Sequence, residues 1–213
     1  MTYLVKELYY TLQGEGAHTG RPAVFCRFSY CNLWTGRERD RWRATCQFCD
    51  TDFVGTNGPG GGKFATAADL AVAVSAAWRA QDHARAKAYV VCTGGEPLLQ
   101  LDEHAVNALH AAGFEVGVET NGTRQAPSGL DWVCVSPKAG AHLRLTRGDE
   151  LKLVYPQEGA PPEAFEDLDF PRLLLQPMDG PERDKHTRMA VEYCLAHPQW
   201  RLSLQTHKYL GIA

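Results

Sequence analysis

Seven short apolar runs constrain the fold of this chain more than any other feature. They are AVFCRF (23–28), AYVVC (88–92), EVGVE (115–119), DWVCV (131–135), ELKLVY (150–155), RLLLQ (172–176) and RLSLQ (201–205). Each has strand length and is rich in β-branched, aromatic or leucine side chains. Helical stretches lie between several of them. TAADLAVAVSAAWRAQ (66–81) opens on Thr66 as an N-cap, with Asp69 three residues later as a weak capping-box variant. DEHAVNALHAAG (102–113) ends at a glycine suited to C′, and PERDKHTRMAVEYCLAHP (181–198) is bounded by prolines. Strand–helix alternation predicts an α/β fold with a parallel sheet and helices outside it. A closed eightfold barrel takes about 250 residues. The 213 residues here, less a long cysteine loop, predict an incomplete parallel (β/α) barrel of about six strands. The expected organisation is one domain over residues 1–213, with an extended loop over 31–50.

The unusual polar motifs all follow predicted strands. The Cys31 loop follows AVFCRF, TGGEP (93–97) follows AYVVC, and TNG (120–122) follows EVGVE. SPK (136–138), PMDG (177–180) and THK (206–208) follow later runs in the same way. Carboxyl ends of parallel strands open on one face, where α/β folds bind ligands. The motifs therefore converge on one site. Taken singly, most read equally well as turns: TGG as a positive-φ bend, TNG as an Asn-Gly turn, SPK as a turn with an exposed lysine.

The cysteines of CNLWTGRERDRWRATCQFC are harder to read as turn chemistry. Cys31, Cys46 and Cys49 are separated by fourteen and then two residues. A redox dithiol at CQFC leaves Cys31 unexplained. A structural zinc would need a fourth ligand such as His18 or a remote histidine. An iron–sulfur cluster on three thiolates leaves one iron open, which a catalytic cluster requires. Cys92, Cys134 and Cys194 sit in apolar segments, as core thiols do.

Composition narrows the remaining classes. A formal net charge of -3 does not favour nucleic acid or an acidic membrane as partner, and GRERDRWR (36–43) reads as a solvated loop face. GTNGPGGGK (55–63) reads as a flexible loop. It fails as a phosphate loop, because Asn57 and Phe64 stand where glycine and Ser or Thr are needed. No apolar run approaches the roughly 20 residues of a membrane span, and the N-terminus lacks signal-peptide features. A reducing cytoplasm is expected.

With CQFC preceded by a further cysteine, and GGE after the next strand, the chain resembles the radical S-adenosylmethionine superfamily. The long first cysteine spacing departs from that superfamily's usual three residues. Together with YTLQGEG, GRPAVFCR, CDTDF, VCTGGEP, ETNGT, VSPK, LQPMDG and QTHKYLGI, it resembles the 7-carboxy-7-deazaguanine synthase family. The resemblance runs from Tyr3 to the C-terminus and is weakest over 55–88 and 157–170.

It implies an ammonia-releasing lyase that contracts the ring of 6-carboxy-5,6,7,8-tetrahydropterin to 7-carboxy-7-deazaguanine, on the route to queuosine and other 7-deazapurines. A 5′-deoxyadenosyl radical would take hydrogen from C6 and later return it, regenerating S-adenosylmethionine. The implied cofactors are a [4Fe–4S] cluster, S-adenosylmethionine and Mg²⁺. The implied partners are the pterin, an electron donor such as flavodoxin, and a second copy in a homodimer.

Residue by residue, the resemblance makes Cys31, Cys46 and Cys49 cluster ligands and Thr51 an oxygen ligand to Mg²⁺. Phe48, Cys49 and Asp50 would hold the adenine side of S-adenosylmethionine. Gly95, lacking Cβ, would let backbone approach its methionine part. Ser136, Pro137 and Lys138, with Gln176, Pro177, Met178 and Asp179, would complete that pocket. Leu12, Gln13, Gly14 and Glu15 would meet the pterin, whose carboxylate would face Arg27 two-pronged. Thr93 would line the same cavity with Glu119 and His207, the two expected catalytic residues. The C-terminal carboxylate of Ala213 is expected to reach the substrate. Two other readings stand beside this one: a different radical reaction, such as glycyl-radical generation on a partner protein, and a zinc-stabilised binding domain.

Overall fold

Each of the seven apolar runs contributes to a strand in the computed structural model, which describes residues 2–79 and 87–212, although only Arg201 and Leu202 of the last run do so. The strands are β2 (Pro22–Phe28), β4 (Ala88–Gly94), β5 (Phe114–Thr120), β6 (Trp132–Val135), β7 (Glu150–Tyr155), β8 (Leu173–Pro177) and β9 (Trp200–Leu202). All of these pair in parallel, in chain order. Two strands were not expected. β1 (Tyr3–Leu12) runs antiparallel to β2, and β3 (Gly62–Phe64) runs antiparallel to β1.

The sheet is thus nine-stranded, in the order β3-β1-β2-β4-β5-β6-β7-β8-β9. This corrects the expected six, and the barrel is not closed by a ladder, since β3 and β9 remain edges. β1 is hard to read from sequence because Lys6 interrupts its alternation and the register shifts between Val5 and Glu7. β3 lies in the glycine segment expected to be a flexible loop. That segment instead lies along β1, with Gly58 N donating to Lys6 O at 2.9 Å and Leu8 N to Pro59 O at 2.8 Å.

Alternation of side chains along each strand sorts the residues onto two faces. Val24, Cys26, Val90, Cys92, Val116 and Val118 face α1 (Ala67–Ala77) and α2 (Glu103–Ala111), against Leu70, Val74, Val106 and Leu109. Leu151, Leu153, Leu173 and Leu175 continue that face beneath Ala190 of α3 (Arg183–Ala196). Full burial of each such side chain is worth about 1.5–3 kcal/mol. Thr66 and Asp69 form the reciprocal capping box of α1, and Asp102 caps α2. The described part of α1 ends at Ala77, earlier than expected. The other face carries Arg27, Thr93, Glu119, Lys152 and Gln176, one polar residue from each of five strands, at its end toward the motif loops.

A turn completes what the sheet leaves open. Between β1 and β2, residues 13–18 reach across to the β7–β9 side. Gly16 N donates to Ser203 Oγ at 2.9 Å and Ala17 N to Glu150 Oε2 at 2.9 Å. Thr206, in the short α4 (Thr206–Leu210), donates through N and Oγ1 to Gly14 O, both at 2.9 Å. The inner face is therefore walled by a turn rather than by a further strand pair.

The cysteine loop is held from within. Tyr30 takes a φ of 72°, the one non-glycine residue among those described with positive φ, and turns the chain into Cys31. Glu38–Arg43 forms a 3-10 turn. Arg41, expected on a solvated face, stacks on Trp34 and donates to the carbonyls of Gln47 (2.9 Å) and Cys49 (3.0 Å). No helix among the described residues is long and apolar enough to cross a membrane.

Candidate active site

A cavity of about 410 Å³ opens where the motif loops meet. Of the residues expected at the site, it gathers all except two. Pro137 does not line it, and instead offers its carbonyl to Gln157 Nε2 at 3.3 Å. Ala213 lies outside the described residues.

One end is sulfur-lined. Cys31, Cys46 and Cys49 border it together with Phe48, Asp50, Thr51 and Gly95. Cys46 and Cys49 hydrogen-bond, which draws the Cys49 thiol down and pushes Cys46 up, while burial raises Cys31. Lys138 Nζ donates to Ser136 O and Oγ at 2.7 Å. Burial lowers its pKa, opposed by the neighbouring Cys46 and Cys49. Among the described residues no group of three His, Cys, Asp or Glu side chains could hold a single metal ion. His18 does not complete one. It is held by Tyr89 OH at 3.2 Å and stacks on Trp132, away from the cavity lining. Three thiols without a fourth ligand fit a cluster better than a closed zinc site, because cluster cysteines bind separate irons and need not converge on one point.

The structure supplies a further reason for Gly95, which lines the cavity. A Cβ there would collide with the Tyr30 carbonyl and lie 2.9 Å from Cys31 Cβ. Glycine is required so that the loop after β4 can pack on the start of the cysteine loop. Glu96, fully buried, ties that loop to the next, accepting from Leu98 N, Thr120 Oγ1 and Asn121 N at 2.6–3.0 Å.

The other end is polar and enclosed by the β1–β2 turn. Gln13 Nε2 donates to Glu119 Oε1 at 3.0 Å, and Gln13 Oε1 accepts from Glu15 N at 3.1 Å. Gln205 Nε2 donates to Glu15 Oε1 at 2.9 Å. Burial pushes the Glu15 carboxyl up, but the Lys152 ammonium and the bonds from Lys152 and Gln205 hold it well below the usual carboxylate range. Arg27 Nε is paired with Glu7 (2.8 Å) and Nη2 with Tyr9 OH (2.8 Å). These bonds use the Nε side of the guanidinium and leave, among the described residues, the Nη1 hydrogens and one on Nη2 at its end for a ligand. Gly14 lies against His207, on whose ring a Cβ at position 14 would fall. Leu12 is partly exposed, whereas Thr93 is buried at the end of β4.

Between the ends, Lys208 Nζ bridges Asp50 (2.6 Å) and Asp179 (2.7 Å), joining the cysteine loop to the loop after β8. Lys6, which is buried, pairs with Asp52 at 2.8 Å and holds the chain just past Thr51.

No family model matches the chain. Curated proteins do. Over 212 residues, and all of both chains, it is 66% identical to the 7-carboxy-7-deazaguanine synthase of Caulobacter vibrioides and 66% identical to that of Bordetella pertussis. The chain belongs to the 7-carboxy-7-deazaguanine synthase family. A crystal structure of QueE from Escherichia coli superposes with a TM-score of 0.70 at 29% identity, covering 97% of this chain and 95% of that one.

Within this synthase-family chain, sequence reasoning missed four lysines and arginines that shape the cavity: Lys6, Arg41, Lys152 and Lys208. Lys6 and Lys152 stand in apolar strand runs, and an ionisable residue there was the available signal.

Proposed function

We propose that this chain is a 7-carboxy-7-deazaguanine synthase, a cytoplasmic, ammonia-releasing lyase that contracts 6-carboxy-5,6,7,8-tetrahydropterin in queuosine and 7-deazapurine biosynthesis. The observation that carries the reading is the mixed lining of one cavity, which gathers three thiols with an amide, two carboxylates and a guanidinium. A [4Fe–4S] cluster on Cys31, Cys46 and Cys49 would supply the electron that cleaves S-adenosylmethionine. Phe48, Asp50, Gly95, Ser136, Lys138 and the 176–179 segment would bind that cofactor between the thiols and the substrate.

At the polar end, Gln13, Glu15 and Glu119 would accept the N–H donors of the aminopyrimidinone ring. Arg27, pre-oriented by Glu7 and Tyr9, would meet the pterin carboxylate two-pronged through the Nη1–Nη2 end of its guanidinium. Thr51 would add a hydroxyl to Mg²⁺, whose other ligands would be substrate oxygens and water. Glu119 Oε2 and the His207 ring would exchange protons with the substrate during loss of ammonia. The enclosing turn and Lys208 bridge would exclude water from the cavity. A homodimer and a flavodoxin-like electron donor complete the proposal.

An anaerobic assay with reductant, S-adenosylmethionine and the carboxylated tetrahydropterin tests it. Product and ammonia should form in equal amounts while S-adenosylmethionine persists. Brown, cluster-loaded protein that leaves the pterin unchanged would point to another radical reaction. Colourless protein carrying only zinc would replace the enzyme reading with a binding domain.

A further inference from the structure

We propose that Lys152 is a positioning residue that keeps Glu15 and Glu119 ionised together, so that the cavity floor presents two carboxylates to paired N–H donors. Its Nζ stands 2.5 Å from Glu15 Oε2 and 3.3 Å from Glu119 Oε1, and its side chain is 5% exposed. It does not line the cavity, so a ligand there meets the carboxylates and not the lysine.

The two carboxylates arrive from distant parts of the chain, the β1–β2 turn and the end of β5. Their side chains are only 15% and 22% exposed and both lie against one ammonium, so removing that cation disfavours ionising both at once. The remaining polar contacts do not replace the cation. Gln13 donates to Glu119 Oε1 and Gln205 to Glu15 Oε1, and both are neutral amides. Other groups facing the triad are Cys134 on β6, whose thiol burial raises, Glu150 on β7 itself, Lys138 after β6, and His207 on α4. Cys134 stays a neutral thiol, and Lys138 is engaged with Ser136 near the sulfur end. Lys152 is therefore the cation that directly bridges both acids.

Burying such a triad adds little stability over apolar packing. What it changes is the state of the floor. Glu119 Oε2 is not hydrogen-bonded among the described residues, and an ionised floor accepts hydrogen bonds without donating any. That selects a 2-amino-4-oxopyrimidine edge, which offers adjacent N–H donors, over a 2-oxo analogue, which offers an acceptor there. The ligand class rests on the proposed function; the ionisation state does not.

Lys152→Met and Lys152→Arg, each as cluster-loaded full-length protein, separate these claims. Infrared titration of ¹³C-labelled glutamate without ligand should show no additional protonated carboxyl in the parent or Lys152→Arg near pH 7, and one in Lys152→Met. Binding of the carboxylated tetrahydropterin, without S-adenosylmethionine, should be about tenfold weaker in Lys152→Met near pH 6 and recover as pH rises, while the parent stays flat. A Lys152→Met protein with no extra protonated carboxyl overturns the inference. Normal titration with no pterin binding by the parent overturns the ligand reading alone. Should Lys152→Met melt at neutral pH, its raised carboxyl pKa requires the melting temperature to climb as pH falls. A melting temperature that does not climb also overturns it.

Discussion

Replacing Gly14 by alanine should damage the active site well beyond its effect on stability. A Cβ at position 14 would overlap His207 Nδ1 and come within 2.8 Å of Cγ and 2.9 Å of Cβ. Carbon atoms pack at about 3.5–4.0 Å, so His207 must retreat by roughly 0.6–1 Å. Rotating the ring cannot provide this, because the His207 Cβ is itself too close. The start of α4 has to move, straining both bonds from Thr206 to Gly14 O. Overpacking of this kind costs about 1–3 kcal/mol, which lowers the melting temperature of a chain this size by about 2–12 °C. A displacement near 1 Å at a reacting centre costs about 10²-fold in rate.

Gly113→Ala is the matched comparison. Gly113 has a φ of 89° with open space at its Cβ, and lies just past α2, away from the cavity. It should lose about 1–2 kcal/mol through backbone conformation alone and keep its turnover. Anaerobic kcat and KM, with thermal melts of both variants, decide the matter. Turnover in Gly14→Ala within about threefold of the parent, a difference of roughly 0.6 kcal/mol, would refute the contact as a determinant of His207 placement.

Three further outcomes are expected. Cys31→Ala, Cys46→Ala and Cys49→Ala should each lose cluster iron after reconstitution, whereas Cys92→Ala and Cys134→Ala should keep it; iron and sulfide analysis checks this. Thr51→Ala should keep its cluster but lose turnover and Mg²⁺ stimulation, while Thr56→Ala behaves as the parent; a Mg²⁺ titration of rate distinguishes them. Because the folded Glu15 pKa is depressed, its stabilising contribution is full above the ordinary carboxyl value of about 4.3 and is lost as pH falls through the folded value. Acid unfolding of Glu15→Gln should therefore be shallower in that window.

The parallel strands were legible because strands buried on both faces read as unbroken apolar runs. The motif loops were legible because parallel topology sends the ends of such strands to one side. β1 was not, since Lys6 and Glu7 break the pattern of an antiparallel strand with a bulge. Lys152 escaped notice for a related reason. In ELKLVY it looks like the polar partner of an alternating strand, pointing to solvent, and only the turn over residues 13–18 makes that face an interior. Arg41 read as one of several loop arginines, and nothing local distinguishes the one whose guanidinium fits two carbonyls of its own loop. Gly95 read as a tight place, but its packing on Tyr30 and Cys31 was not legible, because close approach between two segments of one chain leaves no local trace.

The turn that walls the inner face also sets an order of assembly. Its bonds to the C-terminal segment join residues 190 and 192 positions apart. Contacts of such separation carry the largest loop-closure entropy and tend to form late in folding. The turn and the cavity floor beneath it are thus expected to close late in folding and to open early under native conditions. Amide exchange at Thr206, which donates to Gly14, should report that opening, and any ligand seated on Gln13, Glu15 and His207 would slow it by fastening the two ends of the chain together.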